Sequence, residues 1–314
     1  MRVLFWGTSQ FAVPSLLALV GEGFDVVGVI TQPDRPVGRS RSEAAAPPVK
    51  EAAVAQSLPV LQPERPRGEG FLAQLRALEP ELSVVASYGH ILVDEVIALP
   101  PQGTINVHAS LLPKLRGAAP IQAAIRDGFL ETGVTIMRMV RALDAGPIIL
   151  QARTPVARDE TAGELELRLS ELGALALVEA LTLLQLGRAT EREQAHAEAT
   201  HAPKIEREMA RVPWSEGCGV VARRIRAYDP KPGAFTTLRA HEVKLFGAVE
   251  ADLPDEHRAA RPGTVLGVDT LGMLVACGDG AVRVAQAQPA GRKRLPALEW
   301  ERGRGVGIGD RFGD

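Results

Sequence analysis

Apolar residues fall along the first half of the chain in short unbroken runs, with stretches of helical spacing among them. Residues 2–7 read as a buried strand, and Ser9 is placed to cap a helix running to about Val20, with Gly21 and Gly23 stopping it. Val26 to Thr31 is a second strand, and further runs follow at Leu82–Ala86, Thr104–Val107, Val134–Met139 and Ile148–Leu150. Helical patterns occupy about 71–79, 119–127 and 161–186. The alternation predicts an α/β architecture of βαβ units with a mainly parallel sheet, because strands covered on both faces are apolar throughout rather than at every second residue.

After Gly187 the pattern changes. Residues 188–204 are polar and Ala-rich, hold no helical or strand period, and suit a linker. A helix is expected over 216–227, then short strands at 234–238, 242–247, 263–268, 272–276 and 281–287, punctuated by Gly, Pro and Asp. Several short strands with regular turns predict a small barrel or sandwich. The 314 residues have room for two such units.

Composition refines this picture rather than changing it. Aromatic residues make up 4% of the chain, so Ala, Leu and Val must fill the core. Cys218 and Cys277 are isolated, without metal spacing or a disulfide framework, and read as inert buried thiols. No signal peptide is visible and no run reaches the roughly 20 apolar residues of a membrane span, so a cytoplasmic protein is expected, without a membrane partner. The net charge of −2 is unevenly spread: residues 1–188 hold 17 basic against 20 acidic residues, residues 189–314 hold 19 against 18. Arg223-Arg224-Ile225-Arg226 and Arg292-Lys293-Arg294 either meet phosphates or form solvated faces.

Candidate chemistry concentrates between Ile105 and Pro120. Asn106 and His108 lie two apart at the end of an expected strand, so they face the same side. The carboxyl end of a parallel strand is where open α/β sheets place ligands. A His there can move a proton near neutral pH, and an Asn amide can donate to an oxygen that gains charge. The same pair can equally satisfy buried backbone groups. Asp144, in the Gly-containing loop after the 134–139 run, can orient a His ring or simply bond its own turn. Spacing alone does not connect it to His108. Gly7-Thr8-Ser9 matches no nucleotide-loop pattern, there is no Gly-x-Ser-x-Gly elbow, and the remaining histidines lack metal-ligand spacing, so no metal is expected.

The run from Asn106 to Pro120 resembles the signature of folate-dependent formyltransferases, whose core is Asn-x-His followed by Ser-Leu-Leu-Pro. Further matching segments are Phe5–Thr8 with Phe11–Pro14, Thr31–Pro36, Arg116–Gln122, Glu131–Met137, Leu143–Gly146, Ala202–Ile205 and Gln288–Arg294. They are in family order along nearly the whole chain. The resemblance implies a Rossmann-like formyltransferase domain over residues 1–189, a linker over 190–206 and an OB-like, tRNA-binding β-barrel over 207–314. It implies 10-formyltetrahydrofolate as donor, the methionyl α-amine of charged initiator tRNA as acceptor, and a monomer. The family's catalytic residues correspond to Asn106, His108 and Asp144, and its folate-contacting turn to Ser110, Leu111, Leu112 and Pro113. Its loop toward the acceptor stem corresponds to about Asp34–Val49, where Arg35, Arg39 and Arg41 are the candidate tRNA contacts. The chain departs from the family with Ala109 for a usual Gly, Leu115 for an aromatic, Pro147 for an Asp, and few lysines in the reaching loop. Siblings of the family act on small amines or hydrolyse the folate. A tRNA-binding module that has lost activity is the reading outside enzymes, and Asn106, His108 and Asp144 argue against it.

Overall fold

The computed structural model describes residues 1–37 and 43–313, which fall into two compact units. Unit 1 comprises Met1–Gly117, Glu131–Pro155 and Glu166–Ala202. Its strands are β1 (Arg2–Gly7), β2 (Asp25–Ile30), β3 (Arg35–Val37), β4 (Glu43–Ala45), β5 (Val60–Leu61), β6 (Leu82–Ala86), β7 (Thr104–His108), β8 (Glu131–Arg138) and β9 (Ile148–Pro155). Seven of them form one sheet in the order β5-β2-β1-β6-β7-β8-β9, while β3 and β4 make a separate antiparallel pair.

The apolar runs are the strands, for the reason the pattern suggests. Val3, Leu4, Phe5 and Trp6 of β1 are all buried, although successive residues point to opposite faces. Leu4 and Trp6 pack with Leu72 and Leu75 of a helix, α3 in chain order, after α1 (Val13–Gly21) and α2 (Pro48–Ala55); α3 spans Glu69–Ala77. The sheet is mainly parallel, as expected: pairing is parallel from β5 to β7 and antiparallel at β7–β8 and β8–β9. One expectation needs correction. Ser9 does not cap a helix: its Oγ bonds Ser87 Oγ at 2.7 Å, and α1 starts only at Val13 after a 3-10 turn, with Pro14 supplying its first-turn geometry.

Unit 2 comprises Ala118–Leu130, Val156–Leu165 and Pro203–Asp314. In chain order the remaining helices are α4 (Asp94–Ile97, unit 1), α5 (Pro120–Arg126), α6 (Ala162–Gln185, shared by the two units), α7 (Cys218–Ala227) and α8 (Ala297–Arg302). Strands β10 (Ala234–Leu238), β11 (His241–Ala251), β12 (Val265–Asp269), β13 (Gly272–Ala276), β14 (Ala281–Pro289) and β15 (Leu295–Pro296) form an antiparallel sheet. Its path β10-β11-β14-β13-β12 has β15 beside β14, and among the described residues no pairing joins β10 to β12. The core of this unit gathers Val221 and Ile225 of α7, inward residues of the strands, and Trp214 stacked on Phe312 at 5.5 Å. Cys277 is buried there and desolvation pushes its thiol up to about 12, the inert state expected of it.

The stretch read as a linker is largely attached to unit 1. Arg192 bridges Ile148, Arg116 bridges His201, and the backbone of Ala202 donates to Arg116 O at 2.7 Å. Its lack of helical or strand period reflects an extended strap over the surface.

Candidate active site

Strand β7 delivers Asn106 and His108 to its carboxyl end, on one face, with Asn106 half-buried and His108 only 5% exposed. Immediately after it the chain turns sharply. Ser110 Oγ donates to Lys114 O at 2.6 Å, and Leu112–Pro113 is a cis peptide. Thr135, on the neighbouring β8, organises this turn from a fully buried position. Its hydroxyl donates to Ser110 O at 2.6 Å and accepts from Leu112 N at 3.1 Å, while Gln151 Nε2 donates to Leu112 O at 2.9 Å. Leu111 and Pro113 are left half-buried along the turn.

Beyond the turn, the backbone itself enters the site. Leu115 takes a φ of +60°, and its carbonyl lies 3.1 Å from His108 Nε2. A carbonyl only accepts, so Nε2 carries the hydrogen. The other ring nitrogen, Nδ1, faces Asp144 Oδ2 at 3.7 Å, beyond a direct hydrogen bond but within ion-pair reach. Both side chains are secluded, 6% and 11% exposed. Oδ2 also accepts from Gly117 N at 2.8 Å. Gly117 has a φ of +121°, and a Cβ there would lie 2.5 Å from Ala202 O, so only Gly lets this backbone reach the carboxylate.

Asp144 sits at φ +50° in the loop between β8 and β9. At Gly146 a Cβ would meet Arg138 O at 2.0 Å, so the loop closes tightly on its own strand. The loop is tied down by Gln194, a 4% exposed residue of the strap. Its Nε2 donates to Asp144 O at 2.9 Å and Gly146 O at 2.8 Å, and its Oε1 accepts from Arg116 at 3.1 and 2.6 Å. Arg116 is itself buried and also donates to His196 Nδ1 at 2.9 Å, which fixes that ring's hydrogen on Nε2.

The structure therefore brings His108 and Asp144 together, keeps Asn106 on the same face, and puts Ser110–Pro113 directly behind them. Thr135, Arg116 and Gln194 escaped the sequence reading. Polar residues at 0%, 8% and 4% exposure are their signal, and burial is invisible in a single sequence. Arg35 lies apart from this cluster on β3, exposed and donating to Gln32 Oε1. Arg39 and Arg41 lie outside the described residues. Among the described residues no group of three or more His, Cys, Asp or Glu could hold a metal ion, and no helix is long and apolar enough to cross a membrane.

The basic clusters of unit 2 part company. Arg226 of α7 is 5% exposed and donates to Ala248 O at 3.2 Å, and Arg224 donates to Met209 O at 2.7 Å, so these two are engaged with backbone carbonyls, while Arg223 is half-buried. Arg294 pairs with Asp229 at 2.8 Å and covers the Phe246 ring, whereas Arg292 and Lys293 are exposed.

Residues 1–181 match the formyl transferase family model, and residues 204–305 match that of the formyl transferase C-terminal domain. A methionyl-tRNA formyltransferase of Moorella thermoacetica is 45% identical over 303 residues, covering 96% of each chain. One of Thermotoga neapolitana is 44% identical over 304 residues, covering 97% of this chain and 96% of the other. Among solved structures, HypX from Aquifex aeolicus in complex with tetrahydrofolic acid superposes with a TM-score of 0.67 at 20% identity. That match covers 98% of this chain and about half, 48%, of HypX. A methionyl-tRNA formyltransferase from Clostridium thermocellum gives a TM-score of 0.56 at 13% identity, over 80% of this chain and 94% of the other.

Proposed function

The chain belongs to the formyl transferase family, and on that premise we propose that it transfers a formyl group from 10-formyltetrahydrofolate to the α-amine of methionyl-tRNA, the initiator species. The chemistry rests on one observation, the secluded His108–Asp144 pair at the end of the strand that also carries Asn106. The acceptor rests on relatives that share 41–46% of their residues over nearly the full length of this chain.

The donor supplies an electrophilic formyl carbon attached to a nitrogen leaving group. Surface suited to a flat folate ring lies beside the pair: Leu143, next to Asp144, is 63% exposed, and Leu111 of the Ser110–Pro113 turn is half-buried. Exposed apolar side chains beside polar backbone are the usual composition of such a site. As the amine nitrogen bonds to the formyl carbon, negative charge collects on the formyl oxygen. The Asn106 amide donates to it, and so does the Nε2–H of His108. His108 Nε2–H is held by a neutral carbonyl, that of Leu115, and a charged oxygen binds such a donor about twice as strongly, so the developing oxyanion can draw it away. Asp144 faces the other ring nitrogen and, through Oδ1 or a water, receives the proton the amine loses. Collapse breaks the bond to the folate nitrogen, which takes up a proton, and leaves the formamide.

Catalysis is assigned to residues 1–189 and tRNA binding to residues 207–314 as an OB-like module, with 190–206 between. Arg35, Arg39 and Arg41 place the acceptor end. The enzyme works as a monomer in the cytoplasm. The test is transfer of labelled formyl to charged initiator tRNA beside charged elongator tRNA and free amines. Product on initiator methionyl-tRNA is expected; equal or faster formylation of free amines sinks the tRNA assignment.

A further inference from the structure

From Thr190 to Glu198 every side chain is exposed except that of Gln194. A primary amide has two donor hydrogens and a carbonyl oxygen with two lone pairs. Here both donors go to carbonyls of the Asp144 loop, and the oxygen takes two N–H groups of Arg116. One of the two loops so joined carries Asp144, and the other touches both members of the pair: Leu115 O lies against His108 Nε2, and Gly117 N donates to Asp144. Asp144 needs holding, because a non-glycine residue at φ +50° is in a sparsely populated conformation that persists only when its surroundings over-determine it.

We propose that Gln194 is a positioning residue for formyl transfer, setting Asp144 against His108 by clamping the 144–146 loop to the 115–117 loop. The inference rests on the formyltransferase reading of the site. A purely packing role would be met by any side chain of this length, but an apolar one leaves two loop carbonyls and a buried guanidinium without their partner. The His108–Asp144 gap of 3.7 Å leaves little tolerance, and a shift of about 1 Å can cost about 100-fold in rate.

The test uses the full chain with Gln194→Met, which keeps volume and removes every hydrogen bond, and Gln194→Glu, which keeps the oxygen toward Arg116 and loses both donors. Turnover, KM for each substrate, and the His108 ring resonances by NMR are measured on protein shown to be folded by circular dichroism. The carboxylate facing that ring is Asp144, and Arg116 and His196 join it through the same network. Both variants are expected to lose about 10- to 100-fold in kcat with each KM within about twofold. The His108 ring resonances should move from their parent positions, since Asp144 is no longer held against the ring. A folded Gln194→Glu enzyme with the parent's kcat and ring resonances overturns the clamp, and that variant decides alone if Gln194→Met does not fold. A fall in kcat that only tracks the unfolded fraction, with the resonances unmoved, overturns it too. If the parent forms no formyl product, the functional reading falls, while the His108 resonances still decide the clamp.

Discussion

The loops around His108 and the helix α7 both bury charge, with opposite results. Around His108, side chains and backbone converge from β7, the 115–117 loop, the 144–146 loop and the strap, and one ionisable group faces another across 3.7 Å. On α7, Arg224 and Arg226 each donate to a backbone carbonyl, and desolvation holds the Arg226 guanidinium below its ordinary range despite Asp159 and Glu250 nearby. The first arrangement leaves a pair that can exchange a proton beside exposed apolar surface. The second fastens a helix to the backbone around it. Buried charge marks chemistry here where its partner is itself ionisable and held by loops, and marks architecture where its partner is a peptide oxygen.

Removing members of the pair should have the largest effect. Asn106→Ala, His108→Ala and Asp144→Ala are each expected to lower kcat by about 10²- to 10³-fold in folded protein, and the double variants by less than the product. A His108→Ala enzyme at near-parent rate would put the two regions on the same footing. Arg226→Met should act on stability instead. A loss of about 2–3 kcal/mol in urea unfolding is expected from the orphaned carbonyl and altered packing, with KM for charged tRNA unchanged per folded molecule. A raised KM with undiminished stability would return α7 to the tRNA surface.

Next in size is the exposed basic pair. Neutralising Arg292 and Lys293 should raise KM for charged tRNA about two- to fivefold and flatten its salt dependence, by about one unit of log–log slope for each phosphate no longer neutralised. Equal slopes in parent and variant would remove this surface from tRNA binding. The smallest effect concerns a strictly local polar pair. At the start of α6, Glu164 Oε2 accepts from Thr161 N at 2.9 Å, and Thr161 Oγ1 accepts from Glu164 N at 3.3 Å. The Thr161 backbone N–H holds the Glu164 carboxyl below its ordinary value. A depressed carboxylate stabilises the fold above the usual carboxylate range and loses that contribution as pH falls through its folded value. Glu164→Gln should therefore cost about 0.5 kcal/mol at neutral pH, small because the group is solvent-screened, and the difference should vanish in acid. A gap that widens in acid would reverse the assignment.

How far the sequence reached follows from the range of each interaction. Strands β1, β2 and β6 were legible because burial on both faces leaves a nearly unbroken apolar run. The same run appears in β8, Val134–Met137, whose antiparallel direction depends on how the chain returns and not on its side chains. Asn106 and His108 share a face as any residues two apart on a strand do. Asp144 was tied to His108 by resemblance alone, since 36 residues of chain say nothing about a 3.7 Å approach. Gln194 left no trace, because a strap without period looks like a linker until its buried polar side chain is seen. The Arg223–Arg226 run stayed open for the converse reason: charge is read directly from residues, and solvent access is not.

The position of Gln194 in the chain also bears on the order in which the protein is made. Synthesis runs from the N-terminus, and structured units form as they emerge. All strands of the main sheet of unit 1 are complete by Pro155, and Asn106, His108 and Asp144 are among those early residues. Gln194 follows only after the whole of α6. A nascent chain halted between the end of that helix and the strap thus holds every side chain of the reaction and lacks the residue that sets them, so competence arrives with the strap rather than with the sheet.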